Sequence, residues 1–198
     1  MNIQFGQPAT WAGSPERVPL VVDQYMFGSA PLISVLFREV RSNRGWTYGV
    51  SGSYTFQPYR GAYSIFLFPT MKYGLDALKL SLNLFNQYVT LGVTPSELRY
   101  AKTALINQAP FLFETAEDVL SRVIDEEIHG TPKGYYEGFV ENVMKVNEET
   151  ATKARSAVHK NNMLAAVIFG DANAIVPELK KMPEVTEVKT IKAEKLLQ

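Results

Sequence analysis

The side chains able to do chemistry are few. The chain of 198 residues has no cysteine and two histidines, His129 and His159. Structural zinc sites draw on four Cys or His-type ligands and catalytic ones on three protein ligands. The sequence is therefore expected to hold no metal of its own, and it excludes disulfides, thiol nucleophiles and iron–sulfur clusters. Glu126 and His129 stand one turn apart in a helical stretch. Such a pair could supply half of a carboxylate metal site, but no second Glu-x-x-His accompanies it. A histidine near a helix C-terminus also suits the helix dipole, and His159 before Lys160 reads the same way. There is no G-x-G-x-x-G, P-loop or G-x-S-x-G motif, and Gly49-Val50-Ser51-Gly52 has the wrong spacing for a nucleophile elbow.

The richest segment runs from Leu36 to Val50. A helix there ends in Arg38, Arg41, Arg44 and Gly45, and a strand with an aromatic run starts at once. Two accounts fit. In one, the arginines complement the helix dipole, Gly45 is the left-handed residue of a C-cap, and Tyr48 is a core aromatic on the strand's apolar face. In the other, the Arg41 guanidinium and the Tyr48 phenol converge on one point, where they can hydrogen-bond a peptide carbonyl or a developing oxyanion without transferring a proton.

The elements that must position this segment follow from periodicity. Ile3 to Gly6 reads as an edge strand ending at Pro8. Pro15 to Met26 and Leu32 to Arg41 show helical spacing. Thr47 to Phe56 alternates, with Tyr48, Val50, Tyr54 and Phe56 on one face. Ala62 to Phe68 is its hairpin partner. Helices are expected at Met71 to Leu91, at Thr94 to Gln108 behind a Thr94/Glu97 capping box, through Leu112, Ala116, Val119, Val123 and Ile124, at Tyr135 to Lys145 and at Asn147 to Lys160. Met163 to Gly170 reads as a buried strand and Ala172 to Lys180 as a last helix. Helices beside adjacent strands without regular alternation predict an α+β fold, an antiparallel or mixed sheet with helices on one face.

With 46% hydrophobic residues and no linker, residues 1–198 read as a single domain. Twenty basic residues balance twenty acidic ones, so charge draws the chain neither to nucleic acid nor to an anionic membrane. No apolar run approaches the length of a bilayer span. Met1 to Pro8 carries no signal-peptide pattern and reads as a strand already under way, as in a piece of a longer chain.

The segment L-x-R-E-V-R-x-x-R-G-x-x-Y-x-V, followed by a hairpin, resembles the C-terminal, non-catalytic half of the pitrilysin/insulysin-type zinc metallopeptidases, which include mitochondrial processing peptidase. Gln4 to Gln7 is similar to the strand opening that half, Tyr25 to Ser34 to its Gly/Ser-rich helix junction, and Thr94 to Gln108 to its T-x-x-E-L-x-x-A-K helix. The likeness extends over roughly residues 1–180. Trp46 and Thr47 stand where the family more often has Leu-Ala or Leu-Gly. The resemblance implies that Arg41 and Tyr48 contact bound peptide. It implies too that zinc belongs to an H-x-x-E-H partner half, on the same longer chain or a separate subunit, and that the joined halves form a metalloendopeptidase. Bacterial relatives are often exported, which favours the periplasm over the cytosol. The rival expectations are a structural or interaction module of the same fold and an autonomous hydrolase, for which no nucleophile and base can be assembled. Metal analysis of the purified chain is expected to find no stoichiometric zinc; a full equivalent would contradict this reading.

Overall fold

A computed structural model describes residues 1–160 and 163–192. The order is β1 (Asn2–Ala9), α1 (Arg17–Gln24), β2 (Thr47–Thr55), β3 (Gly61–Pro69), α2 (Gly74–Leu91), α3 (Pro95–Gln108), α4 (Ala116–Ile128), α5 (Phe139–Lys145), α6 (Glu148–Val158), β4 (Ala165–Phe169) and α7 (Ala172–Leu179). Between α1 and β2 the chain makes two π-helical turns, Tyr25–Ser29 and Phe37–Ser42. The sheet has the order β2-β3-β1-β4 and is antiparallel throughout. The fold is α+β with a four-stranded sheet, as the pattern of elements predicts. No helix among the described residues is long and apolar enough to cross a membrane.

Strand alternation sends Ile3, Phe5, Val50, Tyr63, Ile65 and Leu67 to one face, where they pack on Phe27, Leu36, Val40, Leu78 and Phe85. A second cluster joins α1, α3 and α5 through Val22, Met26, Leu105, Phe139 and Val143. All the helical packing thus falls on one side. The other face carries Gln4, Ser51, Ser53, Ser64, Phe66 and Phe68. Close approach of the Tyr25–Ser29 turn to β2 depends on glycine: a Cβ on Gly28 would lie 2.8 Å from the Gly52 carbonyl oxygen, and one on Gly52 would lie 2.4 Å from the Tyr63 hydroxyl.

Two strand expectations are corrected. β1 is interior, paired with β3 on one side and β4 on the other. Pro8 is tolerated because β4 pairs only with Asn2 to Gly6, so its missing N–H lies beyond the end of that ladder. β4 is an exposed edge strand rather than a buried one, with Val167 and Phe169 turned to the open face. A continuous apolar run does not say where in a sheet it will lie. The helix expected from Tyr135 begins only at Phe139, after turns through Gly134 at φ +77°.

Beneath the sheet lies a buried polar hub. Asp23 on α1 is ion-paired to Arg155 on α6 at 2.6 Å and accepts a hydrogen bond from Tyr88 on α2 at 2.6 Å. Beside it, the Lys160 N–H donates to Gln7 Oε1 at 2.9 Å, which turns the Gln7 amide nitrogen toward His159 Nδ1 at 2.7 Å. An amide nitrogen only donates, so Nδ1 accepts, and Nε2 carries the proton given to the Tyr54 oxygen at 2.6 Å. Burial, with the nearby charge of Arg155, lowers the His159 pKa to about 4. The neutral histidine is therefore the folded form. The unfolded chain protonates near pH 6.5 and the folded one only near 4, so stability is full above 6.5 and falls as pH drops toward 4, by roughly 3 kcal/mol. Burial lifts the Asp23 carboxyl, opposed by Tyr88 and Arg155, which contributes a slope of opposite sign. Denaturant unfolding between pH 4 and 7 should show a steeper acid loss for the wild type than for His159→Gln, the difference isolating the histidine.

Candidate functional site

The junction between the second π-helical turn and β2 positions both candidate residues. In that turn the Asn43 N–H donates to the Arg38 carbonyl, five residues back, at 2.9 Å. Gly45 then adopts φ +64°, and its N–H closes on the Arg41 carbonyl at 2.9 Å. This is the left-handed helix cap that a glycine permits. The strand begins two residues later at Thr47.

Simple alternation would put Tyr48 in the core with Val50. The strand does not alternate there. Thr47 pairs with Pro69 and Val50 with Leu67, so Tyr48 and Gly49 together oppose Phe68 in a β-bulge. Thr47 and Val50 are both buried, and Tyr48 is left 88% exposed. Tyr48 is therefore not a core aromatic. The Thr47 side chain fills the bulge: its hydroxyl donates to the Gly49 carbonyl at 2.7 Å and accepts the Phe68 N–H at 3.0 Å. The two backbone groups that the lost ladder would orphan are thereby satisfied. Trp46 braces the same junction by stacking on Tyr73 at 6.0 Å, with the Arg44 guanidinium 5.5 Å from its ring.

Arg41 meets Tyr48 through the main chain: its Nε donates to the Tyr48 carbonyl at 3.4 Å, and its guanidinium lies 5.3 Å from the Phe37 ring. Glu39 pairs with Arg44 at 2.9 Å and with Arg38 at 3.4 Å. The Arg44 hydrogen bond, helped by Asn43 and Arg38, holds the Glu39 carboxyl below its ordinary range. Arg41 has no ion-pair partner among the described residues, and both Arg41 and Tyr48 are exposed. Sequence reasoning missed Phe66 and Phe68, which extend the exposed surface next to Tyr48. Their signal was the uniformly apolar run Ala62 to Phe68, which in a strand must put aromatic side chains on both faces.

The family model described as peptidase M16 inactive domain matches residues 1–105, more than half of the chain. The chain belongs to the peptidase M16 inactive-domain family. The match contains the π-helical turns, the bulge, Arg41 and Tyr48. No curated protein matches the chain. Among solved structures, the peptidase M16 inactive domain from Pseudomonas fluorescens superposes with a TM-score of 0.76 at 23% identity, covering 84% of this chain and 40% of that one. A protease from Helicobacter pylori gives 0.74 at 12% identity, with 84% and 40% covered. A Bordetella parapertussis chain assigned as the inactive peptidase domain of a zinc protease gives 0.66 at 16% identity, with 85% and 90% covered. At these identities the likeness is one of fold. This chain spans 40% of the length of the first two.

The described side chains of this M16 inactive domain do not fit a zinc ion. His159 has both ring nitrogens engaged, by Gln7 and Tyr54. The Glu126/His129 pair is committed elsewhere, Glu126 accepting the Gly134 N–H at 3.2 Å and His129 pairing with Asp125 at 3.1 Å. Among the described residues no group of three or more His, Cys, Asp or Glu could hold a metal ion. Thr47→Val, close to Thr47 in shape, leaves the Gly49 carbonyl and the Phe68 N–H without their partner. It should cost about 1–3 kcal/mol in chemical denaturation, with Thr47→Ser recovering most of it.

Proposed function

We propose that this chain is the substrate-binding, non-catalytic half of a zinc-dependent metalloendopeptidase. On this reading residues 1–198 act as one domain of a larger assembly, and the metal sits in an H-x-x-E-H partner half. The observation that carries it is the bulge, which turns Tyr48 out of the core next to Arg41, an arginine with no carboxylate partner among the described residues. A guanidinium and a phenol offer donors to a peptide carbonyl, and such donors gain most when that oxygen takes on negative charge.

Family membership and the fold likeness support placing this half beside a catalytic one. The position of β2 adds to the reading. It is an edge strand of the sheet, and beyond the Tyr48 and Gly49 carbonyls, which Arg41 and Thr47 engage, an extended peptide can pair along it while its own carbonyls approach Arg41 and Tyr48. Phe66 and Phe68 give the neighbouring sheet face an apolar floor. The activated water and its base are the partner's, and this chain binds and polarises. A purely structural module gains nothing from an exposed tyrosine beside an unneutralised arginine, since both would be more stable packed or paired.

In the assembled peptidase, Arg41→Ala and Tyr48→Phe should each lower kcat by about 100-fold, the loss expected for one oxyanion donor, with unfolding curves unchanged. Peptide turnover unaltered in both variants would remove the assigned roles while leaving the fold and family intact.

A further inference from the structure

Helix α4 is docked the wrong way round for a helix that ends at this domain's own surface. A Thr115/Asp118 capping box starts it, and its inner side is polar. Arg122 Nε donates to the Leu112 carbonyl at 3.4 Å, and its guanidinium lies 5.0 Å from the Tyr136 ring. Asp125 accepts hydrogen bonds from Tyr136 and from Thr131 at 2.6 Å, and lies 3.8 Å from Arg17. Burial acts to raise that carboxyl, but hydrogen bonds from Thr131, Tyr136 and His129 with the charge of Arg17 outweigh it and hold it below its ordinary range. The apolar residues Val119, Leu120, Val123, Ile124 and Ile128 all point outward, between 39% and 66% exposed. No residue of α4 is buried. A surface helix ordinarily turns its apolar stripe to the core and its charges to water.

We infer that the outer face of α4 is the docking surface for the metal-binding half, an inference that rests on the functional reading above. With Phe111 and Phe113 exposed just before it, seven large apolar side chains between Phe111 and Ile128 are left uncovered. Exposed apolar clusters of this kind mark interaction surfaces. The Asp125 contacts fix the helix before any partner arrives, so docking orders little.

The charges select the occupant. Glu114 and Glu117 flank one end of the strip and have no ion-pair partner among the described residues; at the other end Glu127 is paired with Lys133 at 2.8 Å and Glu126 accepts the Gly134 N–H. A second copy paired two-fold across this face would set Glu114 and Glu117 against Glu126 and the Glu127–Lys133 pair rather than against an unpaired cation. The fitting partner is apolar with Lys or Arg at its rim. Chains of this fold that carry more than as much sequence again beside the matched region have room for such a surface.

The test is association of the purified chain with its H-x-x-E-H half, by calorimetry and by hydrogen exchange. Wild type should bind, with slowed exchange across residues 116–128. Leu120→Glu/Ile124→Glu should weaken binding by roughly 100-fold or more, since it buries two uncompensated carboxylates. Both positions are exposed, so its melting temperature should stay unchanged, and Ile128→Lys should weaken binding without added acid. Equal binding by wild type and variants would overturn this inference and leave the functional reading standing. So would a wild-type dimer dissolved by Leu120→Glu/Ile124→Glu, which assigns the face to a second copy. Failure of the wild type to bind that half would overturn both.

Discussion

One threonine hydroxyl holds the candidate site open. A bulge in an antiparallel pair leaves backbone groups without ladder partners, and buried groups in that state cost free energy unless something local satisfies them. Thr47 does so by bonding to Gly49 and Phe68 at once. Its side chain points into the core while that of Tyr48, the next residue, points out. Were the register at Val50 to run back unbroken through the strand, alternation would bury Tyr48. The departure from the commoner Leu-Ala or Leu-Gly is thus compensated within the segment: Thr47 plugs the bulge and Trp46 stacks on Tyr73.

The rest of the fold keeps this junction rigid and its outer face free. All the helical packing lies behind the sheet, so the face bearing Tyr48, Phe66 and Phe68 has no covering layer among the described residues. Behind it, the Asp23–Arg155–Tyr88 cluster ties α1, α2 and α6 together, and His159 links Gln7 on β1 to Tyr54 on β2. Removing one partner of a buried pair costs far more than the pair itself contributes, so the cluster opposes loosening of the helices from one another. The two histidines, few as they are, serve packing and helix-end contacts.

Much of the fold was legible because it rests on local chemistry. Thr94 and Glu97 form the capping box their spacing announces, and Gly45 takes the left-handed cap. The hairpin and α2 lie where the periodicity puts them. What was not legible depends on tertiary position. The apolar run at Ala165–Phe169 is an edge strand and the short run at Asn2–Ala9 an interior one, because strand order is decided by which faces the helices cover. The amphipathic pattern of α4 was visible, but the direction of its apolar side was not, since Asp125 and Arg122 are drawn inward by Thr131, Tyr136 and a backbone carbonyl. At the site, Arg41 and Tyr48 stood out as a guanidinium and a phenol flanking the helix–strand junction, and the resemblance favoured the functional account of them over the packing one. Their exposure was not foreseeable, because a one-residue bulge reverses the facing of every earlier position in the strand.

The central claim is that Arg41 and Tyr48 address one peptide carbonyl from this half. The most direct measurement is a crystal structure of the two halves assembled around an uncleaved extended peptide. The account predicts a peptide strand along β2, with one carbonyl oxygen within about 3 Å of both the Arg41 guanidinium and the Tyr48 hydroxyl. A peptide bound away from β2, or a Tyr48 ring folded back against the core, would contradict it.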